Sequence, residues 1–181
     1  PTGNYETDGH FWTVYLMATM MGNRFAYNIA YWAKSPDHLM YPSGDPIKST
    51  NTWLNPLNQG PMHSLTGGNS AFERAASALA VGESTSTEEL GLALHRLGDS
   101  YAHSTIADGT KMYGAPLGHV YDMTFGVDPD KIANRPELYK EYVSQLSKAL
   151  GNRINFGGNI DLFTFNYIAE KKVAQNKIVQ Y

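Results

Sequence analysis

The feature that most limits how this chain can fold is the stretch Leu94-His95-Arg96-Leu97-Gly98-Asp99-Ser100-Tyr101-Ala102-His103. Two histidines and an aspartate stand four and four apart. On an α-helix each residue advances by about 100°, so each step of four drifts by only about 40°. His95, Asp99 and His103 therefore share one helical face over two turns. Gly91, Leu92 and Gly98 lie nearby, small or apolar positions that let other segments approach closely. Two imidazoles and a carboxylate cannot be buried unpaired without a large penalty. A divalent metal supplies a partner, since zinc accepts His nitrogen and Asp oxygen and a carboxylate can join two ions.

The rest of the chain predicts an all-α, single-domain helical bundle over residues 1–181 with long site-bearing loops. At 181 residues it can bury a substantial core. Charged residues are only 17% and aromatics 12%, a folded composition rather than a disordered one. The net charge of −3 offers no basic footprint for nucleic acid. No cysteine is present, so thiolate metal sites are excluded and any metal rests on His and carboxylate. Apolar residues at threes and fours predict a long helix over residues 10–33, too short in its fully apolar run to span a membrane. Residues 34–69 read as a long irregular stretch carrying Asp37, His38, Trp53 and His63. A short helix follows over 70–82, with Phe72, Ala75, Ala76 and Leu79 as its apolar positions. Overlapping capping boxes, Thr85 with Glu88 and Ser86 with Glu89, then start the motif helix, which should run to about 105. Residues 106–129 read as loop and contain Gly118-His119-Val120-Tyr121-Asp122. A further helix begins near Pro136 and closes at Gly151 as C′, and a last one covers 160–173. No secretory signal is visible, and the polar start at Pro1 suggests a piece released from a longer polypeptide that is secreted or delivered to a target cell.

In chain order the candidates are His10, Asp37, His63, His95, Asp99, His103, His119 and Asp122. This order resembles the zinc-dependent phospholipase C and S1/P1 nuclease superfamily over residues 10–122, most specifically at 94–103. The resemblance implies an all-α enzyme with two or three zinc ions. It makes Asp99 a bridging carboxylate that shares a first ion with His95, Asp37 and His63, with Asp37 also placed as general base. It gives His103, His119 and Asp122 to a second ion and His10 to a third. The family begins with a Trp whose amine binds that third ion; here Pro1 stands instead, leaving Asp8 or a main-chain group as substitute, or two ions only. His38, beside Asp37, should point away from the metals. Segments such as Asp8-Gly9-His10-Phe11-Trp12 and Trp53-Leu54-Asn55-Pro56 are similar to C-terminal toxin modules of Rhs or contact-dependent polymorphic toxins, which implies a cognate immunity protein as partner.

The function expected is a phosphodiester hydrolase acting through zinc-activated water, phospholipase C-like, with a phospholipid substrate favoured by the missing basic stripe and the abundant Trp, Tyr and Met. An S1/P1-type nuclease is the alternative, because Trp12, Trp53 or Tyr101 suits a base as well as a choline. A non-catalytic zinc-stabilised binding module is a third reading, marked by closed metal shells. Arg96 points off the motif face and reads as a surface residue.

Overall fold

The computed structural model describes residues 5–37, 56–105, 109–114 and 128–153. These residues are mostly helical and form no strand, so the all-α class holds for them. A π-helical run, Tyr5–Thr13, leads into α1 (Val14–Met20), and α2 (Ala26–Lys34) follows with a 3-10 turn at Ser35–Asp37. Next come α3 (Pro56–His63), α4 (Ser70–Glu83) and α5 (Thr87–Ala102). A 3-10 turn at Ile132–Asn134 precedes α6 (Pro136–Arg153). Isolated bridges pair Asn69 with Lys111, Thr66 with Gly114 and Ser104 with Met112, fastening the segment after the motif helix to the entrance of α4.

The single helix expected over 10–33 is two helices. Gly22, at φ +73°, ends the first in a Schellman motif: Asn23 N–H donates to Ala18 O (2.9 Å) and Gly22 N–H to Thr19 O (2.9 Å). Asn23 then restarts the chain by accepting from Phe25 N–H through its side chain at 2.8 Å. The break lets α2 fold back against α1, which an unbroken rod would prevent. A helix the sequence did not announce, α3, lies in the supposed irregular stretch; it starts at Pro56, where a missing N–H costs nothing, and carries Pro61 inside it. Helix α6 runs through Gly151 to Arg153 instead of closing there. The helix expected over 160–173 lies outside the described residues.

Helix α5 is the centre of the packing. Ser86 caps it by accepting from Glu89 N–H (3.1 Å), and the Glu89 carboxylate accepts from Thr85 N–H and Oγ1 (both 2.7 Å). The cap is thus one interleaved box, with Glu89 reaching Thr85 rather than Ser86. Leu90, Leu94, Leu97 and Tyr101 bury against Val14, Met17, Ile29, Tyr142 and Leu146. At Gly91 a Cβ would stand 2.8 Å from Ile29 O, so only glycine admits α2 at this distance. Helix α4 inverts its expected face. Phe72 and Leu79 are exposed, while Ser70, Glu73, Ser77 and Val81 are buried. Glu73 explains this, because it receives Arg96 at 3.0 Å.

Candidate metal centre

Three elements bring their polar residues to one point beside α5. The π-helical run widens the turn around His10 and aims its ring at α5, where Gly98 makes room: a Cβ on Gly98 would lie 2.8 Å from His10 Cε1. The run is held by α6, whose Tyr142 hydroxyl donates to Gly9 O (3.2 Å) and whose Tyr139 shares a 2.6 Å hydrogen bond with Thr13. The 3-10 turn after α2 supplies Asp37. His63 is the last residue of α3, ended by Ser64 at φ +52°. Ser64 is buried and donates to Arg96 O (3.1 Å), which holds a left-handed conformation that costs a non-glycine residue about 1 kcal/mol or more.

Asp99 is the meeting point. Its Oδ1 lies 2.9 Å from His10 Nε2, and its Oδ2 lies 3.0 Å from His63 Nδ1 and 3.1 Å from His95 Nε2. Asp37 lies somewhat farther from the same nitrogens, at 3.8 Å from His63 Nδ1, 3.8 Å from His95 Nε2 and 3.7 Å from His10 Nε2. The facing nitrogens of His63 and His95 are 3.1 Å apart. His10, His63, His95 and Asp99 are buried, and Asp37 is the most open member at 18%.

These distances test the donor set against a metal. Zinc bonds of about 2.0–2.1 Å in a tetrahedron require donor–donor edges of roughly 3.3–3.4 Å. Among His63 Nδ1, His95 Nε2 and Asp99 Oδ2 the three edges are 3.0, 3.1 and 3.1 Å, slightly inside that value, and His10, Asp37 and His95 form a second group whose donor atoms lie close enough to share an ion. The tautomers agree. His95 Nδ1 faces the carbonyl of Ala33 at 2.8 Å and must donate to it, so the neutral ring presents a bare Nε2 to the centre. Without a cation or a proton, that lone pair would confront carboxylate oxygen. The buried His/Asp cluster is therefore one that a divalent cation fits.

Within the cluster the carboxylates and imidazoles stabilise one another's charge. Burial opposes ionisation of Asp99, yet His95, His103 and His10 together hold its carboxyl well below the usual carboxylate range. Burial works against a charged His10, and the Asp99 carboxylate more than offsets it, raising the imidazole. His103 is pushed up to about 10 because Asp99 and Asp130 overcome the penalty of its burial.

His103 caps α5 and looks both ways. Its Nδ1 donates to His63 O at 2.7 Å and stands 3.7 Å from Asp99, while its Nε2 lies 3.1 Å from Asp130. Asp130 escaped the sequence reading; the only signal was Asp128-Pro129-Asp130, where Asp128 Oδ1 accepts from Asp130 N–H (3.0 Å) and sets the turn. Of the eight expected ligands, His10, Asp37, His63, His95, Asp99 and His103 converge here. His10, expected on a separate third ion, shares Asp99 and Asp37 with the first set. His119 and Asp122 lie outside the described residues, as do His38 and Trp53. Arg96 is not the surface residue expected, since its guanidinium is partly buried on Glu73. Tyr101 cannot stack a ligand, because it is 3% exposed beneath Arg74, whose guanidinium sits 4.3 Å over the ring. Among the described residues no helix is long and apolar enough to cross a membrane. Comparison with protein-family models, curated proteins and solved structures gives no match.

Proposed function

We propose that the chain is a metal-dependent phosphodiester hydrolase of the phospholipase C type, with zinc as its metal and phospholipid as its substrate class. The observation that supports this most is that Asp99 offers its two oxygens to different partners, Oδ2 to the His63/His95 set and Oδ1 to His10. A carboxylate placed so can serve two ions, the arrangement that phosphodiester hydrolysis uses. His63, His95, Asp37 and Asp99 would hold the first ion, and His10 with Asp99 and Asp37 the second. A zinc-type ion, when bound, supplies a water acidified towards neutral pH and positive charge beside the phosphoryl oxygens. Asp37, the most open of the donors, is suited to accept the proton of the attacking water. His95 is kept in the correct tautomer by Ala33 O, and His10 is kept in place by the Gly98 gap. The order of the ligands along the chain supports a fold like that of the phospholipase C and S1/P1 nuclease superfamily. The likeness of its segments to polymorphic toxin modules supports an immunity protein as partner.

A second reading, a zinc-stabilised module without catalysis, is favoured by one observation: His63, His95 and Asp99, which lie close enough to share one ion, are all buried. The test is hydrolysis by zinc-reconstituted protein of phosphatidylcholine vesicles and of single-stranded DNA. Phosphocholine release that disappears in Asp37→Asn supports the lipid hydrolase; cleavage of DNA alone transfers the assignment to a nuclease. Turnover of neither substrate by fully loaded protein assigns the structural role.

A further inference from the structure

The helix face that carries His95 and Asp99 also carries His103, but the two nitrogens of His103 are engaged elsewhere. Among the described residues, the donor groups close enough to share one ion are His63 with His95 and Asp99, and His10 with Asp37 and His95; His103 belongs to neither. Its Nδ1, which lies 3.7 Å from Asp99 Oδ2, stands 2.7 Å from the carbonyl oxygen of His63. A carbonyl only accepts, so Nδ1 carries a proton there and has no lone pair for a metal. Nε2 lies 3.1 Å from Oδ1 of Asp130, whose side chain is 34% exposed. The carbonyl of His63 is the terminal one of α3, which no later turn of that helix can satisfy. The same residue's Nδ1 stands 3.0 Å from Asp99 Oδ2. The backbone of His103 is itself fixed. Its carbonyl accepts from Tyr113 N–H (2.8 Å), and Arg135 donates to the carbonyls on either side, Ala102 O (2.8 Å) and Ser104 O (2.6 Å).

We infer that His103 and Asp130 are a positioning pair for the metal centre and not ligands of it: Asp130 orients the His103 ring, the ring holds the His63 carbonyl, and the held backbone keeps His63 Nδ1 on Asp99. A ligating histidine is only as well placed as its ring and backbone, and partners behind the ligands set metal affinity by about 10–100-fold. His95 is set through its ring, by Ala33 O, whereas His63 is set through its main chain, by His103. The pattern of His95, Asp99 and His103 therefore divides. Its first two members face the ion, and the third holds a neighbouring ligand in place. This role rests on the cluster being a metal centre, and it holds whichever reaction the metal serves.

The experiment is zinc titration of the full chain against a competing chelator, with zinc content at saturation read by elemental analysis and cobalt(II) absorption recorded for each variant. His103→Ala is expected to hold as many ions as the parent, with affinity for at least one of them about tenfold weaker. Its cobalt form should keep the parent's band intensity, which follows coordination number. Asn places an amide N–H close to the position of imidazole Nδ1, so His103→Asn should recover most of the lost affinity, a rescue that a packing defect would not show. Asp130→Ala should weaken zinc several-fold, and Asp130→Asn, which keeps an acceptor for Nε2–H, much less. One ion fewer in His103→Ala at saturating zinc overturns the inference, because His103 is then a ligand. Parental affinity in either alanine variant overturns it as well, as does a His103→Asn variant no better than His103→Ala. If circular dichroism shows that His103→Ala does not fold, Asp130→Ala, at the open end of the pair, decides on the same readings of content and affinity. Less than one ion per chain in the parent instead removes the metal centre, and the positioning role with it.

Discussion

Asp99 has three histidine nitrogens within 2.9–3.1 Å, so its charge cannot be removed locally. In Asp99→Asn a neutral amide would face His10, His63 and His95, and the bridge between two donor sets would be lost. If the cluster is the metal centre of a hydrolase, the expected outcome is loss of hydrolysis, at least one metal ion fewer per chain, and a melting temperature in zinc well below the parent, because metal binding is also folding free energy. Parallel elemental analysis and thermal melts check it; a variant that keeps full metal and activity would remove Asp99 from the centre. Gly98 makes a subtler case. The Cβ of Gly98→Ala would stand 2.8 Å from His10 Cε1 and 2.9 Å from its Nδ1, with Tyr142 behind at 3.4 Å. His10 must shift, so the variant should cost about 1–3 kcal/mol and weaken the His10 share of the metal before the His63/His95 share. Zinc titration that shows only the weaker ion affected would bear this out, whereas unchanged affinity for both would mean that His10 does not bind.

At the scale of elements, the seat of α2 on α5 carries the site. His95 is fixed by Ala33 O, and Ala33 is reached only because Gly91 lets the helices meet. Gly91→Ala should push α2 outward, destabilise by about 1–3 kcal/mol, and free the His95 tautomer, lowering zinc affinity without removing a ligand. Denaturant unfolding with a metal titration decides it; a destabilised protein with parental zinc affinity would show that the Ala33 contact does not set the ring. The sequence made this helix legible because His95, Asp99, Gly91 and Gly98 repeat with its period, and the period alone puts them on one face. Asp37 and His63 were legible only through their order along the chain, and the convergence of both on Asp99 is tertiary. Asp130 was not legible, since a loop carboxylate has no periodicity to announce it. Helix α4 was misread for the opposite reason: Phe72 and Leu79 advertise a core face, but a buried Glu73 paired with Arg96 turns that face outward. The break at Gly22 competes with a nearly continuous apolar run, and backbone hydrogen bonding at a left-handed glycine overrules it.

For the molecule as a whole, the metal-free protein should lose stability at both ends of the pH scale. Asp99 is held below its ordinary range in the fold, so its contribution is present above the usual carboxylate pKa and fades as acid protonates it. His103 is raised to about 10 in the fold, so its contribution is fully present below the ordinary imidazole pKa and is lost as pH rises from there through about 10. Thermal melts of chelator-treated protein across pH should therefore trace a dome; a curve still rising beyond pH 10 would contradict the His103 assignment. Zinc should stabilise least in acid, where imidazoles hold their protons against it. All of these expectations depend on one property, that the cluster around Asp99 binds metal. Elemental analysis of protein purified without chelator and reconstituted with zinc tests it most directly: two or three ions per chain are expected, and less than one ion per chain would contradict the metal centre altogether.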